Sequence, residues 1–306
     1  ATPYSYGTAA INGEAYTHGD SLYLTLLPSD FYLGQAKWQI PAGNHIVYSD
    51  KYLQIKNLYL QSGQQQVSIN TQNESSKQSM IAAIKNIDIA QLGELFGLSS
   101  YQPSGSINGN IQLDNLFGAV YINSDIKAQN VRIGTDTLDD ITLVGSYNST
   151  KKEINLDSRS GIFHNGASIT ANGNMSLDST SEQKIDGAIH FDNAPIAWIS
   201  PFVTGYVSQL YGSLNGTINL SGPASLPIFN GNVSLRNAGV HVDYLGTNYT
   251  VPTATINFNR QNIDIGNMAV YDVKKNRGML SGNITHNGFR DFALNLSLIH
   301  ISEPTR

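Results

Sequence analysis

Histidine and acidic side chains are the groups of this chain that could catalyse a reaction or bind a metal ion. The histidines at positions 18, 45, 164, 190, 241 and 286 show no spacing typical of metal ligands. The carboxylates Asp139 and Asp140 stand in a turn-like TLDD sequence with no serine or histidine partner. There is no cysteine, and no nucleophile, phosphate-loop or dinucleotide motif. The sequence therefore predicts neither an enzyme nor a metal or cofactor site.

Apolar side chains at alternating positions are the remaining candidates for a function, and their chemistry is the binding of apolar chains. The segment GSINGNIQL, residues 105–113, and its near copy GSLNGTINL, residues 212–220, both alternate in this way. Because successive side chains of a strand point to opposite faces, each segment predicts a strand with one apolar and one amide-rich face. His241 alternates with Val240 and Val242 and is expected to face solvent.

The same alternation recurs along the chain and gives the candidate groove-lining residues. They are Ile107, Ile111, Leu113, Ile141, Leu143, Leu214, Ile218, Leu220, Ile256 and Phe258. Burial of a hydrocarbon chain against such a face is worth about 0.8 kcal/mol per methylene group. A surface of this kind can bind a hydrocarbon chain without recognising a polar group attached to it.

The elements that must position these residues form a repeat. The two copies begin at Gly105 and Gly212, 107 residues apart, and each follows an apolar stretch with partly helical spacing, 89–96 and 196–203. The Asn-Gly pairs at 12, 165, 172 and 287 predict turns between strands. We therefore predict an all-β protein with short helices, built as an elongated, repetitive β-sheet. The predicted divisions are 1–80, the end of a preceding repeat; 81–180 and 181–295, two units that each begin with a short helix; and 296–306.

Composition limits the partners. Charged residues make up 13% of the chain and the net charge is −5, so no basic surface for nucleic acid is expected. No segment is long and apolar enough to span a membrane, and the chain begins with Ala1. We therefore expect an interior fragment of a longer protein. The last segment, LSLIHISEPTR at 296–306, reads as the translation of a sequencing-library adapter and is not expected to be native.

The two copies and their surroundings resemble the TamB family of the AsmA-like superfamily. The resemblance is carried by GSINGNIQL, by GSLNGTINLSGPASLPIFNGNVSLRNAGV at 212–240, and by RGMLSGNITHNGFRDFALNL at 277–296. The first copy departs from the family pattern, because LDNLFGAV replaces the Gly-Pro…Pro connection. The resemblance covers nearly the whole chain.

Several expectations follow from this resemblance. It implies a sheet curled into a taco-like groove with an apolar interior, in a periplasmic protein that is anchored to the inner membrane. It also implies phospholipid transport toward the outer membrane or support of outer-membrane protein assembly, and a BamA-like outer-membrane barrel as partner, contacted through regions absent here. No cofactor is implied.

Two other functions compete with this interpretation. Alternating apolar faces are most often simply a core, which would make the chain a structural β-solenoid stalk or adhesin with a dry interior. A carbohydrate-active β-helix enzyme is disfavoured, because no clustered carboxylates or aromatic ladder occur at the spacing of β-helix turns. The apolar helices are expected to cap one end of the sheet rather than to close a groove.

Overall fold

The computed structural model describes residues 9–72, 77–178, 182–200, 205, 207–288 and 290–300. The chain is mostly β, with 72% of residues in strands, and the described residues contain one α-helix. This confirms the predicted all-β class with short helices. Contacts divide the chain into two compact units, Ala1–Ile154 and Asn155–Arg306. Of the predicted divisions, the one at 180 falls within residues 179–181, outside the described residues.

The described residues of unit 1 form one α-helix, one 3-10 helix and thirteen complete strands. Its elements are β1 (Ala9–Ala10), β2 (Gly13–His18), β3 (Ser21–Leu26), β4 (Ser29–Leu33), β5 (Ala36–Ile40), β6 (His45–Ser49), β7 (Tyr52–Lys56), β8 (Leu58–Ser62), β9 (Gln65–Thr71), β10 (Met80–Asp88), α1 (Ile89–Leu95), a 3-10 helix (Ser99–Tyr101), β11 (Pro103–Asp114), β12 (Tyr121–Ile133) and β13 (Asp136–Asn148). Its larger sheet is antiparallel, in the order β1-β4-β5-β8-β9-β10-β11-β12-β13. A second sheet has the order β2-β3-β6-β7.

Unit 2 continues the same architecture. Strand β14 (Glu153–His164) contains the boundary, and the elements after it are β15 (Ala167–Ser176), β16 (Lys184–Pro195), a second 3-10 helix (Ile196–Ile199), β17 (Val207–Pro223), β18 (Ile228–Val242), β19 (Thr247–Arg260), β20 (Asn262–Tyr271), β21 (Arg277–Thr285) and β22 (Ala293–His300). Strands β15 to β22 pair in chain order as an antiparallel sheet. Each strand therefore pairs with its sequence neighbour.

Backbone conformation repeats at the interval of the two sequence copies. Three pairs of non-glycine residues with positive φ are separated by 107 positions: Asn86 and Asn193, Gln102 and Gln209, and Asn130 and Asn237. The glycines of the two motifs match as well, with φ of 154° at Gly109 and 148° at Gly216. Residues with a Cβ rarely adopt positive φ, so the matched positions show that the two sequence copies have equivalent backbone conformations.

The predicted turns and helices are only partly present. Asn165-Gly166 joins β14 to β15 as a two-residue hairpin loop, and α1 lies within the predicted stretch 89–96. Asn172-Gly173 is not a turn: it lies inside β15, where Gly173 pairs with Gly187. The Asn-Gly pair fails as a turn signal there because apolar alternation continues on both sides of it. The helix predicted at 196–203 is a 3-10 helix over Ile196–Ile199, and residues 201–204 lie outside the described part.

The aspartates of the TLDD sequence are also not in a turn. Both lie inside β13, and Asp139 has a φ of 61° at a bulge where Val131 of β12 is its partner. The bulge places two residues outward in succession, which reads in sequence like a turn.

Candidate functional site

One face of the larger sheet in unit 1 is apolar across six adjacent strands. Residues paired across antiparallel strands share a face, so the register assigns each side chain. Leu113 pairs with Met80 and Ile122, and Ile107 pairs with Ile87 and Ala128. The face comprises Leu58, Leu60, Val67, Ile69, Met80, Ala82, Ile84, Ile107, Ile111, Leu113, Ile122, Ile126, Ala128, Ile141 and Leu143. All five unit 1 candidates therefore lie on one face.

This face is packed at one end and open further along. Phe31, Trp38, Ile40 and Ile87 form a buried cluster, and Leu92 of α1 packs against it together with side chains of β8 to β11. Leu143, in contrast, is 48% exposed. Helix α1 therefore covers one end of the apolar face, as expected of a cap, while the β13 end carries an uncovered leucine.

The five candidates of unit 2 share a face in the same way. Leu214 pairs with Leu235, and Ile218 pairs with Ile189 and Gly231. Leu220 lies opposite Phe229; Ile256 and Phe258 pair with Val233 and Gly231. Leu214 and Ile218 are buried, so they belong to a packed interior.

An apolar cavity of about 610 Å³ opens on this face of unit 2. The volume lies within the range of about 300–1,000 Å³ that is typical of small-molecule sites. Every described lining residue is apolar or aromatic: Ile196, Val207, Leu210, Leu235, Ala238, Gly239, Val240, Val242, Leu245, Tyr249, Val251, Ile256, Met268, Val270, Leu280, Ile284, Leu296 and Leu298. Because this lining offers no charged group, the cavity suits a hydrocarbon chain.

The residues predicted from the sequence contribute little to the lining of this cavity. Of the ten, Ile256 alone lines it. On β18, four of the five lining residues, Ala238, Gly239, Val240 and Val242, follow the two exposed residues Arg236 and Asn237. The lining residues Leu296 and Leu298 belong to the segment predicted to be adapter-derived, but the other lining residues precede Asn295.

A recurrent four-residue sequence accompanies the change of face. It reads apolar-x-Asn-apolar and occurs as IKNL at 55–58, IKNI at 84–87, AQNV at 128–131, FDNA at 191–194 and LRNA at 235–238. In these five copies the Asn has positive φ, whereas Asn267 of IGNM and Asn295 of ALNL fit the same pattern inside strands and do not have positive φ. In the last four of the five copies, the residue after the Asn is buried. Two successive residues point outward, and the apolar phase then resumes on the original face.

The opposite face of unit 2 is polar. Thr217 and Asn219 lie there, and His190 Nδ1 is 3.0 Å from Thr217 Oγ1. His241 Nδ1 lies 2.6 Å from Asn248 Oδ1 on the same face, so this histidine is hydrogen-bonded rather than simply directed to solvent. Among the described residues, no three His, Asp or Glu side chains converge as metal ligands.

His286 is the one buried histidine of the described chain. It follows β21, and its ring packs edge-on against Phe229, with centroids 5.6 Å apart, and beside Phe292 at 5.9 Å. Desolvation by this burial lowers the pKa of His286 below its usual value. Burial therefore favours the neutral form of the ring, which packs in an aromatic cluster with Phe229 and Phe292.

No helix in the described part of the chain has the length and apolar character needed to cross a bilayer. Searches of protein-family models, of curated protein sequences and of solved structures each found no match to this chain.

Proposed function

We propose that this chain is a segment of a TamB-like protein, anchored in the inner membrane and spanning the periplasm, that conducts phospholipid acyl chains along an apolar β-groove. Transport toward the outer membrane, with or without support of outer-membrane protein assembly, is the activity that this proposal assigns. The observation that carries it is the 610 Å³ cavity with its wholly apolar described lining.

The register supports the proposal, because in each unit the candidate residues lie together on one predominantly apolar face. A conduit requires a surface that repeats without interruption by charge. A cavity whose described lining carries no charged group also has the chemistry of a site that holds the acyl chain and leaves the headgroup outside.

Glycines on the apolar face support the proposed curl. A Cβ at Gly109 would overlap the carbonyl oxygen of Asp125, and a Cβ at Gly216 that of Asn232. Equivalent overlaps occur at Gly173, Gly187, Gly231 and Gly282. Strands that approach this closely in mid-length have the backbone geometry required for a sharp bend, which would turn a flat sheet into a trough.

The second candidate function is a structural stalk with a dry core. The buried cluster around Trp38 and the burial of Leu214 and Ile218 favour it, because these parts of the apolar faces have no room for a ligand. The two functions differ in one respect that can be measured: only the conduit has lipid against the cavity wall.

Site-specific photocrosslinking in cells distinguishes them. A photoreactive residue is placed at Ile256, which lines the cavity, and in a matched strain at Thr255, the exposed neighbour on the other face. The conduit predicts phospholipid adducts at 256 and none at 255. Adducts at neither position, in protein that remains protease-resistant, would refute the conduit and favour the stalk.

A further inference from the structure

In each unit a strand residue with positive φ, here called the switch, precedes a helix, and the two switches, Asn86 and Asn193, are 107 residues apart. In unit 1 the switch Asn86 is followed three residues later by α1, which begins at Ile89. In unit 2 the switch Asn193 is followed three residues later by the 3-10 helix that begins at Ile196. The conformation of each asparagine therefore sets the direction in which the chain enters its helix.

The same side chain of the repeated motif holds each switch. The backbone N–H of Asn86 donates to Oδ1 of Asn108 at 2.9 Å, and that of Asn193 donates to Oδ1 of Asn215 at 2.9 Å. Asn108 and Asn215 are the fourth residues of GSINGNIQL and GSLNGTINL. A left-handed residue inside a strand cannot make the regular ladder hydrogen bond, so the side-chain amide satisfies its N–H.

The helices that follow these switches cover apolar surface. Leu92 of α1 packs against the cluster around Trp38. In unit 2, Ala194 is fully buried, Ile196 lines the cavity and Trp198 is 5% exposed. A change at the switch would therefore be transmitted within five residues to the wall of the cavity.

We propose that Asn108 and Asn215 are positioning residues that seat the two helices over the apolar face, and that Asn215 thereby controls access to the cavity. Asn215 touches neither the cavity nor a ligand and acts through Asn193. The seating role stands on the hydrogen bonds alone. The control of access rests on the proposed function, since it requires that an acyl chain enters the cavity.

Hydrogen exchange of the full chain tests the seating role. Loss of one such hydrogen bond corresponds to about a five-fold change in an equilibrium. Asn215→Ala should therefore accelerate exchange of the amides at Ile196–Ile199 about five-fold, while Asn215→Asp, which keeps the acceptor oxygen, should restore the slow rate. Amides of β20 serve as the reference for global stability. The matched control is Asn219→Ala, on the same strand and polar face.

Equal exchange at the helix in Asn215→Ala and Asn219→Ala would overturn the proposal. So would acceleration of β20 amides by the same factor, because the effect would then be global unfolding. Failure of Asn215→Asp to restore the rate would show that the hydrogen bond to Asn193 is not the cause, and would also overturn it.

The second arm measures entry of a fluorescent 16-carbon fatty acid. Faster entry in Asn215→Ala than in wild type and Asn219→Ala supports control of access. Binding to none of the proteins, with the exchange result intact, supports the seating role and refutes the proposed conduit. Equal entry into all three, with measurable binding, overturns control of access by Asn215.

Discussion

Replacement of Gly216 by alanine is the sharpest test of the bent-strand geometry. Gly216 has a φ of 148°, and a Cβ there would overlap the carbonyl oxygen of Asn232 and approach Val233 Cα within 2.9 Å. These neighbours are backbone atoms of β18 and cannot move without loosening the ladder between β17 and β18. This region of φ is occupied almost only by glycine, and other residues adopt it at a cost of about 1–3 kcal/mol.

The steric overlap adds to this conformational cost, so Gly216→Ala should lower the free energy of unfolding by about 3 kcal/mol. The matched control is Gly246→Ala. Gly246 also has positive φ, at 59°, but a Cβ there meets nothing within 4 Å. Only the conformational cost of the left-handed region remains in that variant, about 1 kcal/mol.

Urea unfolding measures the difference, with the fluorescence of Trp198 as the signal. Because the chain has two tryptophans, both variants are made in a Trp38→Phe background, so that the signal comes from Trp198. With a slope of about 1–3 kcal/mol per molar urea, the midpoint for Gly216→Ala should fall by about 1 M or more relative to its parent. Equal shifts for the two glycine variants would show that the close approach of β17 and β18 does not constrain position 216, and would refute the reasoning.

Three further outcomes are expected. Lowering the pH through 6.5 should reduce the stability of unit 2, because the unfolded chain protonates its histidine there while His286 binds a proton only at lower pH; thermal melts of His286→Phe should lose part of this slope. Ile218→Ala should cost about 2–5 kcal/mol and Leu143→Ala less than about 1 kcal/mol, by urea unfolding, because the first is 7% and the second 48% exposed. Gly93→Ala should destabilise α1, measured by hydrogen exchange, since a Cβ would lie 2.5 Å from Pro103 Cγ.

The face of each strand could be predicted from alternation because a buried face enforces period two. Ile107, Ile111 and Leu113 share a face in the register, as do Leu214, Ile218 and Leu220. The predicted conduction of lipid along these residues stays a prediction. The alternation carries no information about depth, so it did not separate the packed Ile218 from Ile256 at the cavity.

The position of the cavity was harder to predict because it depends on a change of phase. After Leu235, two outward residues precede Ala238, and the apolar positions change from odd to even numbers. The pattern apolar-x-Asn-apolar accompanies this change, but a single Asn in a sequence rich in Asn carries little weight until its positive φ is seen. Asn172-Gly173 is the opposite case: its sequence is a strong turn signal, but the residues before and after it pair with β16 as one continuous strand.

The interval of 107 residues bears on how such a chain could change its length. From β11 to β16 it contains six described strands, and an even number leaves the direction of the following strand unaltered. Recombination between the two motif sequences, which share six of nine residues, would remove one interval, yet Asn86 would then lie before a motif whose fourth residue is again an asparagine. Deletion or duplication of whole intervals would therefore preserve strand direction, face assignment and the hydrogen bond at the switch. The length of such a sheet could change in this way without any other change of sequence.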